Sequence, residues 1–423
     1  MSAPFVQFAK FPLFLVVLVS EFLLFPMGAR ATTELILQLD SSWRYDSNPL
    51  RFTDDAKLPA ALGINSKQDT ILSNDVRVLL VQPLDSPETR LVFTGQLGHR
   101  SYRELTQLTN TEYAYNASLE WRSGEIWKGK LSHSEEQQLY DYLNGTLTTR
   151  DMIHRMTDNA AVSLQLTPDI EIPFTIRVRR DGYDISENQV FNSNERSLDA
   201  SIHLRSTTSS NISIGLRSTD VLFPLRNVAQ ANTLDSGYQD KELYLASDWQ
   251  YSVLTRLSGR IAAMQRTYAT LDLKNFSAVT AELKILHDYS ARTRLTAELW
   301  TRPYPITDSA ILYTTASGAQ LGAKWQSTEK TQVTMMASKE QQQHQYANTV
   351  PGQLNPTLNR VRVGGSLTYA VTRDMQFYVD GFRDQLDQGL LGGNIGQTVL
   401  RTGLEYTFEN IGGLAQRTGF GKR

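Results

Sequence analysis

Arginines recur at close spacing in this chain. Arg177 and Arg179 are two apart, Arg360 and Arg362 are two apart, Arg256 and Arg260 are four apart, and Arg294 sits in a similar polar–apolar setting. On an extended strand, side chains alternate with period 2, so each of these pairs falls on one face. Two chemistries fit such a face. The arginines can meet acidic side chains across strands and form an ion-pair lattice that stiffens a wall. Alternatively they form a basic track for an outside polyanion such as an acidic glycan, because neighbouring like charges need anions from somewhere. A glycan track would also need flat rings for sugar faces to stack on. Tyr244, Trp300, Tyr378 and Phe382 are the candidates, although each reads more simply as a strand-end residue.

Catalytic chemistry finds little support. Six histidines occur, at 99, 133, 154, 203, 287 and 344. The most suggestive setting is His133-Ser134-Glu135-Glu136, yet neighbours in a strand face opposite sides, and a base must lie within hydrogen-bond reach of its nucleophile. With no cysteine there are no disulfides, thiolate metal sites or thiol nucleophiles. Neither metal-ligand spacing nor a phosphate loop is present, so no catalytic residue, metal or cofactor is expected.

The elements that must carry the arginines are strands. In Gln397–Phe408, Leu400, Leu404, Tyr406 and Phe408 share one face, and Val399, Arg401, Gly403, Glu405 and Thr407 share the other. A transmembrane barrel strand has this form: about 10 residues alternating apolar and polar, with aromatics at the interface. Leu35–Tyr45 alternates in the same way and is the expected closing partner. Arg or Lys on a lipid face costs about 2–4 kcal/mol at the bilayer midplane, so the charged faces must look onto water or partners. The aromatics Trp121, Trp249, Tyr251, Tyr289, Trp325, Tyr369, Tyr406 and Phe408 collect beside short turns, as a periplasmic girdle would. Longer irregular segments, 47–73, 140–158, 223–239, 302–317, 341–358 and 384–396, lie at the other strand ends. Segment counting gives an all-β, antiparallel up-and-down transmembrane β-barrel of about 18 strands, or 16 if two ambiguous ones are dropped.

A repeat supports the hairpin as the unit. Trp249–Leu257, His287–Leu295 and Trp325–Val333 share a pattern at offsets 287 − 249 = 38 and 325 − 287 = 38, and Tyr369–Phe377 follows more loosely. A fixed period of one supersecondary unit marks a repeated architecture.

The composition agrees. The chain has 423 residues, 40% hydrophobic and 20% charged, with a formal net charge of −2. It is too polar for a helical membrane protein, and its charge gives no sign of nucleic-acid binding. Residues 1–31 have the layout of a secretory signal peptide: Lys10, the apolar run Phe11–Phe25, then Ala29-Arg30-Ala31. The expected organisation is a signal peptide over 1–31, an outer-membrane barrel over 32–408 and a C-terminal tail over 409–423.

The segment Tyr45-Asp46-Ser47-Asn48-Pro49-Leu50-Arg51 resembles the opening motif of a family of β-barrel porins encoded with exopolysaccharide biosynthesis genes, the EpsL-type outer-membrane proteins. The Trp249–Leu257 hairpin, Arg266-Thr267-Tyr268 and the Gly403–Phe408 ending resemble the same family. Tyr45, Asp46, Asn48 and Arg51 carry the motif. The resemblance implies an outer-membrane barrel, inserted by the barrel-assembly machinery, that takes part in exopolysaccharide export as a passive conduit or as an accessory to an export complex. The expected partners are outer-membrane lipid and an exopolysaccharide, acidic if the basic track is real. The alternatives are a general or oligosaccharide-selective porin for uptake and a non-conducting structural barrel.

Overall fold

The computed structural model describes residues 33–413, apart from 59, 61–62, 64, 85–87, 141–148, 209, 305–310, 347–356 and 389–392. The expected signal peptide and the tail beyond 413 lie outside the described residues.

Eighteen strands follow one another along the chain: β1 (Glu34–Asp46), β2 (Asp69–Pro83), β3 (Arg90–Tyr102), β4 (Asn110–Ser123), β5 (Trp127–Leu139), β6 (Met152–Thr167), β7 (Ile170–Tyr183), β8 (Ser193–Arg205), β9 (Asn211–Leu222), β10 (Gly237–Gln250), β11 (Thr255–Tyr268), β12 (Phe276–Ser290), β13 (Thr293–Tyr304), β14 (Ile311–Gln326), β15 (Thr331–Tyr346), β16 (Thr357–Ala370), β17 (Met375–Asp387) and β18 (Ile395–Glu409). Each pairs antiparallel with its sequence neighbours in one sheet. β18 then pairs with β1, Leu39 opposite Tyr406 and Tyr45 opposite Leu400, and closes the barrel. Closure leaves no edge strand with unpaired backbone groups, the condition for spanning lipid with strands. The expected closing pair, Gln397–Phe408 with Leu35–Tyr45, is the observed one.

The alternation read from sequence sets the two faces. On β1, Leu39, Trp43 and Tyr45 point out and are exposed, while Gln38, Asp40 and Ser42 point in. Opposite them on β18, Leu400, Leu404, Tyr406 and Phe408 point out. Ile176, Leu198, Leu216, Leu243, Ile261 and Leu283 continue the exposed apolar belt around the wall. No described helix is long and apolar enough to cross a membrane. Among the described residues the one α-helix, α1 (Val228–Leu234), lies in the loop before β10 and is started by a reciprocal cap between Asn227 and Gln230.

The 38-residue repeat lands on successive hairpins, with turns at 251–254, 291–292 and 327–330. Both termini of the barrel lie on this short-turn side. There Asn410 is fastened to β1, its backbone N–H donating to Leu35 O at 3.1 Å and its side chain to Thr33 O at 2.7 Å.

The strands run further toward the long-loop side than expected. Residues 69–73, 152–158 and 341–346, read as loop, belong to β2, β6 and β15. Near that rim both faces of the wall carry polar residues, so the alternation that marks a strand fades before the hydrogen bonding does. Three further connections on this side, 103–109, 184–192 and 269–275, were not anticipated as loops.

Candidate functional site: the lumen wall and its outer mouth

All seven arginines of the expected basic track face the lumen. Six of them meet a carboxylate there. Arg177 contacts Glu195 at 2.8 Å, Arg179 contacts Asp181 at 2.6 Å, Arg256 contacts Asp248 at 3.2 Å and Arg294 contacts Asp288 at 2.6 Å. Arg260 meets Glu242 at 2.6 Å, and Arg360 Nε donates to Asp384 Oδ1 at 2.9 Å. The guanidinium of Arg362 lies 3.9 Å from the centre of the Phe382 ring. The wall is therefore a lattice of opposite charges, and of the two chemistries open to these spacings the ion-pair lattice is the one formed.

The densest part of the lattice joins β8–β11. Arg217 Nε donates to Asp199 at 2.8 Å, Tyr244 Oη donates to the other oxygen of Asp199 at 2.8 Å, and Arg260 lies over the Tyr244 ring at 4.5 Å. A cation over a ring face is attracted by the ring quadrupole. Each charge here touches at least one opposite charge or π face, which keeps the side chains against the wall.

The four candidate aromatics also point inward, not at strand ends of the wrong parity. The rings of Tyr244, Trp300 and Tyr378 each lie over a glycine opposite them on a neighbouring strand. A Cβ on Gly215 would sit 2.4 Å from Tyr244 Cζ, and one on Gly318 would sit 2.3 Å from Trp300 Cζ2. Tyr378 covers Gly403 in the same way, whereas Phe382 approaches Gly364 only through its Cβ and Cα. Trp300 Nε1 also donates to Glu340 at 3.0 Å, and Tyr378 Oη to Asp40 at 3.1 Å. The rings tile the wall. A lumenal recess of 820 Å³ is lined by Asp248, Arg260, Trp300, Glu340, Arg360 and Arg362.

The family-like motif builds a latch at the long-loop mouth. Asp46 accepts the Asn48 backbone N–H at 3.0 Å and the Gln397 side chain at 2.8 Å. Asn48 donates through Nδ2 to Phe52 O at 2.7 Å and to Gly396 O at 3.1 Å, and its Oδ1 accepts the Phe52 N–H at 2.9 Å. Arg51 holds a left-handed φ of 56°, uncommon for a non-glycine residue, and reaches Asp384 on β17 at 3.3 Å. Leu50 packs with Leu105 and Leu108 of the 103–109 loop. The segment after β1 is thus tied to β17 and β18 on one side and to the loop after β3 on the other. Tyr45 takes no part in this hub; it points outward and donates to Gln68.

One device repeats around the same rim. Asp69 accepts the backbone N–H groups of Arg103, Glu104 and Leu105, and Asp151 accepts those of Asp184 and Ile185 with the Asn188 side chain. Asp235 accepts those of Gly237, Thr270 and Leu271. Each aspartate stands just before or at the start of a strand and fixes the loop one hairpin further on. Burial pushes the Asp235 carboxyl up, but the donated backbone hydrogen bonds outweigh this and hold it below the usual carboxylate value. Arg226, whose guanidinium is brought down to about 10 by burial, ties the 223–236 loop to Val190 O at 3.0 Å. These aspartates passed unnoticed in the sequence, since a lone Asp before a strand is a common turn residue.

The eight girdle aromatics sit at the short-turn ends of β4, β10, β12, β14, β16 and β18 or in the adjoining turn. Seven are exposed, and Trp121 is half-buried over Gly129. Above them runs the exposed apolar belt. The chain is a Gram-negative outer-membrane β-barrel.

No family model matches the chain, and no curated protein matches it. Among solved structures it aligns with the siderophore receptor PirA from Pseudomonas aeruginosa at 8% identity and a TM-score of 0.47, covering 90% of this chain and 81% of that one. A mutant of the ferric enterobactin receptor PfeA from Pseudomonas aeruginosa aligns at 10% identity and a TM-score of 0.46, covering 90% and 81%. The FrpB iron transporter from Neisseria meningitidis aligns at 8% and 0.47, covering 89% and 81%. The expectation of exopolysaccharide export is corrected here: the solved barrels just named are siderophore and iron receptors.

Proposed function

We propose that the chain is a passive channel for small hydrophilic solutes, with little preference between cations and anions. The observation that carries this is the lumen face itself: eighteen strands lined with arginines and carboxylates in contact. Barrels of 16–18 strands leave room for an aqueous channel. Charged rings on a pore wall set its selectivity, and paired charges cancel most of that field. The latch at the outer mouth holds the segment after β1 against β17, β18 and the 103–109 loop.

The receptors named above take iron and siderophores. At 8–10% identity their ligands are not carried to this chain, so a ferric siderophore serves as one arm of the test. The chain from Thr32 onward is refolded into planar bilayers and its reversal potential is measured in a salt gradient. Open channels with a permeability ratio near one support the proposal. Removing two carboxylates, with Asp199→Asn and Glu242→Gln together, frees Arg217 and Arg260 and shifts the channel toward anions. Absence of conductance, or block by submillimolar ferric siderophore alone among the solutes tried, overturns it.

A further inference from the structure

The outward face carries two apolar hollows, and the rows that cap them differ in charge. The larger, about 1000 Å³, spans β7–β12 and is lined by Phe174, Ala200, Leu216, Leu243, Ala263 and Val279. These six are register partners in turn, strand by strand, so they form one row across the sheet. Ala200 and Ala263 are short between longer neighbours, which sinks the surface there. One row nearer the outer rim stand Ser218, Lys241, Gln265 and Ser277, again opposite one another in turn. Lys241 is exposed and has no ion-pair partner among the described residues. The outward carboxylate of Asp220 stands a further row up, where it faces Arg196 in register and accepts Gln239 Nε2 at 2.8 Å. On β10, Lys241 is 249 − 241 = 8 residues from Trp249 of the girdle. At about 3.4 Å per residue and a strand tilt of about 40°, that is about 21 Å, near the outer limit of an apolar band about 25 Å tall.

The smaller hollow, about 420 Å³, lies on β4–β7 among Ala117, Leu131, Ala160 and Val178. Its outer edge is acidic. His133 Nδ1 lies 2.7 Å from Asp158 Oδ1, and one row further out Glu135 accepts Tyr113 Oη at 2.6 Å and Tyr115 Oη at 2.9 Å. The cation of that outer row, Arg180, is two strands from Glu135. This polar island sets two carboxylates above the smaller hollow, where the larger one has a lysine.

We infer that the larger hollow is a binding site for a phosphorylated lipid of the outer leaflet, with acyl chain in the Phe174–Val279 row and phosphate on Lys241. The row offers hydrocarbon only apolar surface, and the ammonium stands at the height where lipid phosphates begin. Basic side chains at a membrane surface attract anionic headgroups, and a charge-assisted hydrogen bond to phosphate is stronger than a neutral one. Ser218, Gln265 and Ser277 supply neutral donors beside it for further headgroup oxygens. The outward Asp, Glu, Lys and Arg residues of β5–β12 all lie in the outer halves of their strands. The short-turn side of this face therefore has no cation for an inner-leaflet headgroup, and the occupant comes from the outer leaflet. Over the smaller hollow, Asp158 and Glu135 repel the same headgroup.

The two hollows give the test its own control. The full chain is expressed into outer membranes, extracted in mild detergent, stripped of lipid and titrated in native mass spectrometry. The probes are bis-phosphorylated lipid A, its dephosphorylated form and phosphatidylethanolamine, with heat-shifted mobility confirming a folded barrel for every variant. Bis-phosphorylated lipid A should bind most tightly. Lys241→Glu should weaken it about tenfold, the loss of one charged hydrogen bond, and leave the dephosphorylated form unchanged. Ala263→Phe fills the larger hollow and should weaken both forms of lipid A. Ala160→Phe fills the smaller hollow, and Lys339→Glu removes an exposed cation on β15, away from both; neither should change binding. Equal binding of phosphatidylethanolamine, unaltered binding in Lys241→Glu, or an equal loss in Ala160→Phe or Lys339→Glu overturns the inference.

Discussion

Replacing Asn48 by alanine isolates the latch from the barrel that bears it. The side chain makes three hydrogen bonds, to Phe52 O, to Gly396 O and from Phe52 N–H, at 2.7, 3.1 and 2.9 Å. Each contributes about 1 kcal/mol net, and a partner left buried without a substitute adds to the loss. The substitution therefore removes about 2–3 kcal/mol from the closed loop. At about 1.4 kcal/mol per tenfold, its opening constant rises roughly 30- to 150-fold. The backbone pairs of the β1–β18 ladder stay in place, because Asn48 lies beyond its last pair, Asp46 with Val399, and touches β18 only at Gly396 O. Hydrogen exchange of the refolded protein in detergent reads the effect at the Phe52 amide and at Asp54, whose N–H donates to Asn394 O at 2.7 Å. Both amides should exchange faster by that factor while those of β1 keep their protection, and the heat-shifted electrophoretic mobility should stay as in the parent. Unchanged exchange at Phe52 and Asp54 would mean that Leu50 packed on Leu105 and Leu108 holds the loop by itself, and the latch reasoning would be wrong.

Other consequences follow from the same structure. Gly318→Ala puts a methyl 2.3 Å from Trp300 Cζ2 and 2.9 Å from Lys339 O; overpacking of this kind costs about 1–3 kcal/mol, and the urea midpoint of the refolded barrel should fall. The Asp235 carboxyl titrates below its unfolded value. Its contribution to the outer loops is therefore complete above the unfolded value, near pH 4, and lost as pH falls through the lowered folded value. Acid should thus release the amides of Thr270 and Leu271 ahead of the strands, and Asp235→Asn should weaken their protection already at neutral pH. Equal protection of these amides in the variant would remove Asp235 from the account.

The barrel was legible because lipid on one side and water on the other force period-2 alternation, and 18 strands closing β18 on β1 follow from it. The outer halves of β2, β6 and β15 were not legible, because near the rim both faces meet polar surroundings. Gln341 and Gln343 look like loop yet pair with β14 as strand. The inward rings were candidates that read more simply as strand-end residues, for another reason: Tyr244 fits the wall only because Gly215 lies opposite, and cross-strand register is not written in either segment alone. The Arg177–Glu195 and Arg260–Glu242 contacts depend on register in the same way, so the spacing of the arginines could not choose between a lattice and a track. On β5 the alternation was followed through Leu131 and abandoned where His133 and Glu135 break it, which hid the polar island on the outer face. The Tyr45–Arg51 motif drew attention as a family mark; in the fold Asp46, Asn48 and Arg51 work as one loop anchor.

The account stands most directly on the charge balance of the lumen. Reversal potentials of the refolded chain in a tenfold potassium chloride gradient measure it. A potential near zero, moving toward anion selectivity by several-fold in permeability when Asp199 and Glu242 are neutralised together, is the predicted result. A strongly charge-selective current in the parent chain, or one that ignores the double substitution, would contradict the paired-charge channel.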